Sequence, residues 1–259
     1  MLASLILTSS IILVFVVFIW FLYLINHNPS IIDVGWSIGV FLAGTSFLLS
    51  QIGMSFHSIK LLVIWSLLLL WALRLSGFLF ITRIIKQKHD PRYELISENW
   101  KVSKKFGFLM NYLLQGFLML LIASPFLYIA NLSTHGFVIL DFVACALVLL
   151  GILGESIADL QLFQFKIKAK KGGVCKIGLW QYSRHPNYFF EWLVWIGFAL
   201  FGLSAPYGLL SLLSPLLLLG IFIFVTGPIT EKSSIRSKGE LYREYQRKTS
   251  MFVPWFGKK

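Results

Sequence analysis

The stretch LASLILTSSIILVFVVFIWFLYLI, residues 2–25, decides the fold because it carries no charged residue over a length sufficient to cross a lipid bilayer. A helix of about 20 apolar residues spans the hydrocarbon core. The apolar run is too long for a signal peptide, no basic segment precedes it, and no small-residue cleavage site follows it. The stretch therefore predicts a membrane-spanning helix.

The rest of the chain continues this pattern and predicts an all-α, multi-span integral membrane bundle. Of the 259 residues, 57% are hydrophobic and 13% are charged, and the mean hydropathy is +0.78. This composition is too apolar for an ordinary soluble domain. We expect seven spans, of which the sixth is short and interrupted, at residues 2–25, 31–50, 59–82, 107–130, 137–158, 187–203 and 207–227.

The net charge of +12 is concentrated in three basic segments, residues 83–105, 166–184 and 232–259. Outside them the basic side chains are those of Lys60 and Arg74. Cytoplasmic loops of membrane proteins are rich in Lys and Arg, so seven spans with the N-terminus outside and the C-terminus in the cytoplasm fit every loop. The basic face is also expected to attract anionic membrane lipid. We expect no nucleic-acid binding, because no soluble fold presents the charge.

The two cysteines predict neither a disulfide nor a metal site. Cys145 falls within the fifth predicted span and Cys175 within a cytoplasmic loop, so they are not expected to pair. Neither has the spacing of a metal-ligand cluster.

Four ionisable residues within the spans, Asp33, Arg74, Glu155 and Glu191, lie in the half expected to face the cytoplasm. Ionisable side chains are costly in a bilayer and are functional candidates. One interpretation is a structural ion pair of Arg74 with Asp33 or Glu155. The other is a polar cavity, open to the cytoplasm, that binds an anionic water-soluble ligand. Asp141 lies near the outer end of its span, where we expect contact with headgroup water.

The segment GESIADLQLFQFKIK, residues 154–168, predicts a helix that continues the fifth span into the cytoplasm. Glu155 and Asp159 are one helical turn apart, and Lys166 follows two turns later. All three are therefore expected on one face.

The stretch SRHPNYFFEW, residues 183–192, predicts the start of the next helix and a phosphate site. Pro suits the first helical position, and the free N–H groups of a helix N-terminus favour phosphate. Arg184 and His185 flank this position, although His185 alone is also typical of a helix cap. Asn187 and Glu191, one turn apart, suit ribose hydroxyls or a carboxamide.

The tail, residues 231–255, carries basic and aromatic side chains in alternation, among them Arg236, Tyr242 and Tyr245. It is typical of an amphipathic helix that lies on the headgroups. Its spacing suits a nucleotide-binding groove equally well.

These motifs resemble those of the steroid 5α-reductase-like membrane proteins, particularly an uncharacterised bacterial branch, and the tail is similar to that of sterol C14 reductases. The resemblance covers nearly the whole chain. Its residues are SIIDVGWSIG (30–39), WALRLSGFLFITR (71–83), DPRYE (90–94), ESIADLQLFQFK (155–166), GLWQYSRHPNYFFEWLVWIG (178–197) and KGELYREYQRKTSMFVP (238–254).

The resemblance implies a seven-helix bundle that binds NADPH in its cytoplasmic half and reduces a conjugated double bond of a lipophilic, steroid- or isoprenoid-like substrate. Residues 1–259 would form one domain, with residues 1–130 on the substrate side and residues 137–259 as the cofactor-binding half. Short loops favour a bacterial inner membrane. The positions carried over to the cofactor are Asp159, Lys166, Arg184, His185, Asn187, Tyr188, Glu191, Arg236, Tyr242 and Tyr245.

The resemblance also implies a hydrogen-bond donor for the substrate carbonyl. The family places a Tyr three residues before the Arg of the third span and pairs it with an acidic residue of the second. Here these positions hold Trp71, Arg74 and Asp33, which we expect at the reacting end of the site. An indole N–H donates a hydrogen bond but is a poor proton source, whereas a desolvated Asp33 that stays protonated would donate.

Two other functions fit parts of the pattern. S-adenosylmethionine-dependent methyltransferases of isoprenylcysteine or phospholipids share the Arg-His-Pro-x-Tyr helix start and the spaced tail tyrosines, but the set of Asp159, Lys166, Asn187 and Glu191 favours the reductase. A non-catalytic nucleotide- or lipid-binding membrane protein is favoured by Trp71. The chain shows no repeated halves of the transporter kind.

Overall fold

A computed structural model of the chain describes residues 1–52, 59–85, 90–132, 136–168 and 172–255. In this part of the chain the regular structure is helical. Residues 86–89, 169–171 and 256–259, which contribute to the three basic segments, lie outside the described residues.

The helices follow the chain in a simple order, and two of them contain π-helical segments. They are α1 Leu2–Asn26, α2 Ile31–Ile52, α3 Ile59–Leu79 with a π-helical continuation Phe80–Ile85, α4 Pro91–Ser97, α5 Lys104–Ile122, α6 Ser124–Ile129, α7 Ile139–Lys168, α8 Pro186–Gly202, α9 Leu213–Gly220 with a π-helical continuation Ile221–Thr226, α10 Gly227–Lys238 and α11 Glu240–Lys248. Short 3₁₀-helices precede α8 at Gly178–Gln181 and α9 at Gly208–Leu212.

Six helical stretches in the described chain are long and apolar enough to cross a membrane. They match the first to fifth and the seventh predicted spans and lie at Leu2–Asn26, Ile31–Leu49, Ile59–Ile85, Lys104–Ile129, Ile139–Lys168 and Gly208–Lys238. The predicted sixth span is α8, whose 17 residues fall short of the about 20 that cross a bilayer alone. The prediction of a multi-pass helical bundle is confirmed, with six full-length helices and a short inner one.

The short helix α8 lies antiparallel to α7, and glycines allow the two backbones to approach. A Cβ atom at Gly151 of α7 would lie 2.7 Å from the Phe190 carbonyl oxygen of α8. At the other end, a Cβ atom at Gly197 of α8 would lie 2.8 Å from the Ala144 carbonyl oxygen of α7. The hydrophobic effect does not drive helices together in lipid, so their association depends on close packing, which small residues allow. This seam therefore positions α8 inside the bundle.

Asp141 forms a buried ion pair, so the prediction that it contacts headgroup water is wrong. Its Oδ2 lies 2.7 Å from Lys60 Nζ, and both side chains are 1% exposed. Asp141 also accepts a hydrogen bond from the backbone N–H of Val138 at 2.8 Å. A buried charge needs a partner of opposite sign, and the sequence separation of these two residues hid their pairing.

The C-terminal ends of α3 and α7, far from the Lys60–Asp141 pair, lie at the same end of the bundle as the described parts of the basic segments. Asn28, after α1, donates to the Arg83 carbonyl oxygen at 3.4 Å, and the Ser30 hydroxyl accepts from the backbone N–H of Asp90 at 3.1 Å. In the same region Arg236 lies 3.9 Å from Glu98. The described parts of the basic loops thus lie at one end, as the charge pattern predicts.

Candidate functional site

A cavity of about 590 Å³ lies at this basic end, among α2, α3, α4, α5, α7, α8 and the helix that begins at α9. One part of its wall is polar and includes Asp33, Asp159 and Asn187, whereas another is apolar and includes Leu75 and Phe163. The two π-helical segments both contribute to it, through Thr82 and Arg83 in one and through Ile221, Phe222, Val225 and Thr226 in the other. Such segments are frequent at functional sites.

Glu155, Asp159, Asn187 and Glu191 form what we call the inner polar wall of the cavity. Arg74 of α3 binds two of these residues. Its guanidinium contacts Glu155 at 2.8 Å and Asp159 at 2.5 Å, both on α7. Its Nε donates to the Ser156 hydroxyl at 3.0 Å. Asp159 also accepts from the Asn187 side-chain amide at 3.2 Å. The predicted buried pair of Arg74 with Glu155 is therefore present, within a larger network that faces the cavity.

Glu191 of α8 is held by two indole groups. Its carboxyl oxygens accept from Trp71 Nε1 at 2.8 Å and from Trp195 Nε1 at 2.9 Å. Trp71 is fully buried, does not line the cavity and packs edge-on against Trp195. The indole at the predicted catalytic position thus positions Glu191 from behind the cavity wall.

Two buried polar atoms of residues that line the cavity have no hydrogen-bond donor or acceptor partner among the described side chains and backbone. They are Glu155 Oε2 and Asn187 Oδ1. A buried unsatisfied group costs roughly 1–3 kcal/mol, so such atoms are expected where a ligand or proton completes the site. A carboxamide or ribose hydroxyl fits them, because both supply hydrogen-bond donors.

Asp33 belongs to a second polar cluster, on a different wall of the cavity. Its carboxylate accepts from Arg92 at 3.0 Å and from the Tyr93 hydroxyl at 2.7 Å. Arg92 and Arg83 also bind Asp90, which accepts from the backbone N–H of Arg92 and so caps α4. Since Asp33 receives these donors, it acts as a hydrogen-bond acceptor here, which argues against the expected role as a protonated donor.

Tyr93 is the phenol that this cluster presents to the cavity. Burial, together with the neighbouring Asp33 carboxylate, raises the pKa of Tyr93 well above its usual range. The side chain is therefore a neutral hydroxyl that can donate a hydrogen bond.

Aromatic rings form one side of the cavity. Tyr188 lines it and stacks on Phe222, with ring centroids 4.6 Å apart, and on its other face on His185 at 4.9 Å. The Tyr188 hydroxyl lies 3.2 Å from the Thr230 hydroxyl. The predicted cofactor position Tyr188 thus reaches the cavity, while His185 supports it from behind.

Arg184 and His185 lie outside the cavity lining and join the start of α8 to the tail. Arg184 contacts Glu231 at 2.6 Å and donates to the carbonyl oxygens of Gln246 and Thr249. Its backbone N–H donates to the Ser250 carbonyl oxygen at 2.8 Å. The buried His185 lies 3.3 Å from Glu231. Both predicted phosphate residues are thus used in protein contacts.

The remaining predicted residues separate into one at the cavity and three in or beside the tail. Lys166 is exposed and lines the cavity together with Glu155 and Asp159, as their spacing predicts. Tyr245 is buried and donates to the carbonyl oxygens of Trp180 and Ser183. Tyr242 is buried against Tyr245, and Arg236 is exposed.

No pattern in the sequence predicted a site role for Arg83, Asp90, Arg92 or Tyr93. The signal for Asp90, Arg92 and Tyr93 was DPRYE, residues 90–94, which is typical of a helix start because Asp is a preferred cap and Pro a preferred first residue. Only the fold shows that this short helix closes over Asp33.

Comparison with known proteins adds the family. The family model described as "Protein of unknown function (DUF1295)" matches residues 19–249. The chain belongs to this family. That membership supports the resemblance at the level of the broad steroid 5α-reductase-like proteins.

A relative in the fission yeast Schizosaccharomyces pombe, "Uncharacterized protein C594.04c", is 28% identical to this DUF1295 protein over 263 residues. The similarity covers 91% of this chain and 75% of the relative. No solved structure matches the chain.

Proposed function

We propose that this membrane protein is an NADPH-dependent reductase of a conjugated double bond in a lipophilic, steroid- or isoprenoid-like molecule. The observation that carries the proposal is the lining of the cavity. Acidic, amide and basic groups line the same cavity as Leu, Phe and Ile side chains. A site of this kind suits a polar cofactor and an apolar substrate bound together.

The polar wall fits the two ends of a nicotinamide nucleotide. The unsatisfied Asn187 Oδ1 suits a carboxamide or ribose donor, and Lys166, Arg83 and Arg92 supply positive charge for phosphates. When bound, NADPH would supply a hydride and leave a cationic ring. The carboxyl groups of Glu155, Asp159 and Glu191 outnumber the guanidinium of Arg74, and this surplus of negative charge favours that outcome.

The same charge balance favours reduction over methyl transfer. S-adenosylmethionine is cationic before transfer and loses that charge as it reacts. Asp159 and Glu191 would therefore stabilise its bound form more than the transition state, and only differential stabilisation accelerates a reaction.

Tyr93 is the donor that this cavity offers to a substrate carbonyl. It is neutral, lines the cavity and is held by Asp33, whereas Trp71 is buried behind Glu191. The lining residues Leu114 and Val225 are also exposed on the apolar outer surface, which gives a lipid-soluble substrate a route from the bilayer. The cavity draws on both the 1–130 and the 137–259 halves of the chain.

The test is calorimetric titration of the detergent-purified protein with NADPH, NADH and S-adenosylmethionine. We expect NADPH binding, weakened about tenfold or more by Asn187→Ala because the amide holds Asp159 and faces the cavity. Lys248→Gln, an exposed tail residue, is the matched control and should bind as the wild type does.

Binding of S-adenosylmethionine alone would instead identify a methyltransferase. Binding of none of the three would favour a non-catalytic lipid-binding protein. A bacterial inner membrane, with the cavity facing the cytoplasm, is the setting that we propose for the reductase.

A further inference from the structure

The inner polar wall contains more carboxyl groups than the cation beside it can neutralise, and these carboxyl groups are buried. The carboxyl groups of Glu155 and Asp159 share a single guanidinium, that of Arg74, whereas Glu191 is bound by two neutral indoles. Glu155 and Glu191 are 4% and 6% exposed. Carboxylates in low-dielectric surroundings neutralise rather than remain ionised without partners. We therefore expect one of the three to keep its proton.

The hydrogen bonds identify which group that is. Both oxygens of Glu191 accept from indole N–H groups, and Asp159 accepts from Arg74 and Asn187. Both oxygens of each of these two groups therefore accept hydrogen bonds, as the oxygens of a carboxylate do. Glu155 contacts Arg74 through Oε1, while its Oε2 has no partner of its own among the described residues.

Glu155 and Glu191 also lie within hydrogen-bonding range of each other. A proton on Glu155 Oε2 would satisfy that atom by donating to Glu191, whose carboxylate has lone pairs beyond the two used by the indoles. Two carboxylates in such contact repel, whereas a carboxylic acid and a carboxylate attract.

We propose that Glu155 is the acid of this site: it shares its proton with Glu191 and delivers it to the substrate in the proposed reduction. The proposal rests on the proposed function. The alkene gains a hydride at one carbon and the Glu155 proton at the other. As the new C–H bond forms, the O–H bond of Glu155 breaks and its electron pair stays on the carboxylate. Water at the exposed Lys166 end of the cavity then returns the proton.

Infrared spectroscopy of the purified protein tests the shared proton directly. A protonated carboxyl group gives a C=O stretching band that is separate from that of a carboxylate. We expect such a band in the wild type and its loss in Glu155→Gln, whose amide can still donate to Glu191. Glu240→Gln, at an exposed glutamate, should leave the band unchanged. A wild type without the band, or a band that survives Glu155→Gln, would overturn the proposal.

The role as donor is tested on the same variants. We expect NADPH to shift the band, because a ligand in the cavity brings new polar groups close to Glu155. With a steroid 4-en-3-one as probe substrate, Glu155→Gln should reduce the double bond about 100-fold more slowly while its NADPH affinity stays within about threefold of the wild type, since hydrogen bonding is kept. Glu155→Asp, which retains a carboxylic acid, should recover part of the rate.

A band that NADPH leaves unchanged, or a Glu155→Gln rate equal to that of the wild type, would reject Glu155 as the donor. If the wild type binds no NADPH, the proposed function fails. The infrared comparison of wild type and variant still decides whether Glu155 and Glu191 share a proton.

Discussion

Arg74 shows how one side chain controls the interior of this bundle. Its guanidinium reaches α7 at Glu155, Ser156 and Asp159, and through Asp159 it is linked to Asn187 of α8. A planar group with five donors can hold several acceptors at fixed angles, which Lys cannot. Removal of such a cation would leave buried carboxylates without compensation.

Arg184 illustrates a residue whose role depends on surroundings far away in sequence. The predicted phosphate contact is typical of Arg at a helix start. In the fold, the tail returns to this point, and Arg184 binds Glu231 and two tail carbonyl groups. It therefore joins the start of α8 to the tail, and a direct phosphate contact stays a prediction.

Asp90 gives a prediction on acid stability. Burial acts to raise the pKa of Asp90, but the charges of Arg92 and Arg83 outweigh it and lower the pKa from 3.8 to about 2. A carboxyl group whose pKa is lower in the folded state stabilises the fold above its unfolded pKa. We therefore expect the contribution, about 2 kcal/mol, to be complete above pH about 4 and to be lost as the pH falls toward about 2.

The variant Asp90→Asn should unfold at a lower temperature than the wild type near neutral pH and should lose less stability on acidification. Thermal unfolding in detergent across this pH range measures both effects. Glu94→Gln, on the exposed side of the same short helix, is the control. Parallel pH profiles of Asp90→Asn and the wild type would contradict the assignment.

Among the elements, the α7–α8 seam is the contact on which the site depends. α7 contributes Glu155 and Asp159, α8 contributes Asn187 and Glu191, and the glycines set the distance between the two helices. Helices in lipid gain little from the hydrophobic effect, so close backbone contact must stabilise the pair.

We expect Gly151→Ala to destabilise the protein by about 1–3 kcal/mol, the usual cost of overpacking. The new Cβ would lie 2.7 Å from the Phe190 carbonyl oxygen and 2.9 Å from the Val194 nitrogen, and backbone atoms cannot move aside without shifting α8. Thermal unfolding in detergent is the measurement. Gly77→Ala, in α3 where nothing lies within 4 Å of the new Cβ, should unfold as the wild type does or slightly later; equal losses in the two variants would show that the seam is not tightly packed.

At the scale of the whole molecule, the described parts of the three basic segments lie at the end that holds the cavity. This arrangement requires an even number of crossings between successive segments. The helices α5 and α7 separate the first two segments, and the short α8 and the helix that begins at α9 separate the last two, although α8 is not long enough to span alone. The sidedness follows from the excess of Lys and Arg at one end.

We expect the N-terminus outside and the tail in the cytoplasm. In a variant with Cys145→Ser and Cys175→Ser, Ala3→Cys should react with a membrane-impermeant maleimide in intact bacterial spheroplasts. Lys248→Cys, on an exposed part of α11, should react only after lysis. The reverse pattern, or labelling of both in intact cells, would contradict the orientation.

The sequence by itself determined the elements that depend on local pattern. Apolar length located the full-length spans, Pro186 the start of α8, and helical spacing the common face of Glu155, Asp159 and Lys166. These features are local because a helix satisfies its own backbone in lipid.

Only the tertiary structure decided which charges meet. Lys60 with Asp141, Arg92 and Tyr93 with Asp33, and Trp71 with Glu191 are separated by tens of residues or more in the chain. Spacing along one helix says nothing about its neighbours, and a buried ionisable group takes whichever partner the packing supplies. The pairing of side chains from different helices therefore compensates the buried charges and, at the basic end, forms the polar wall of the cavity.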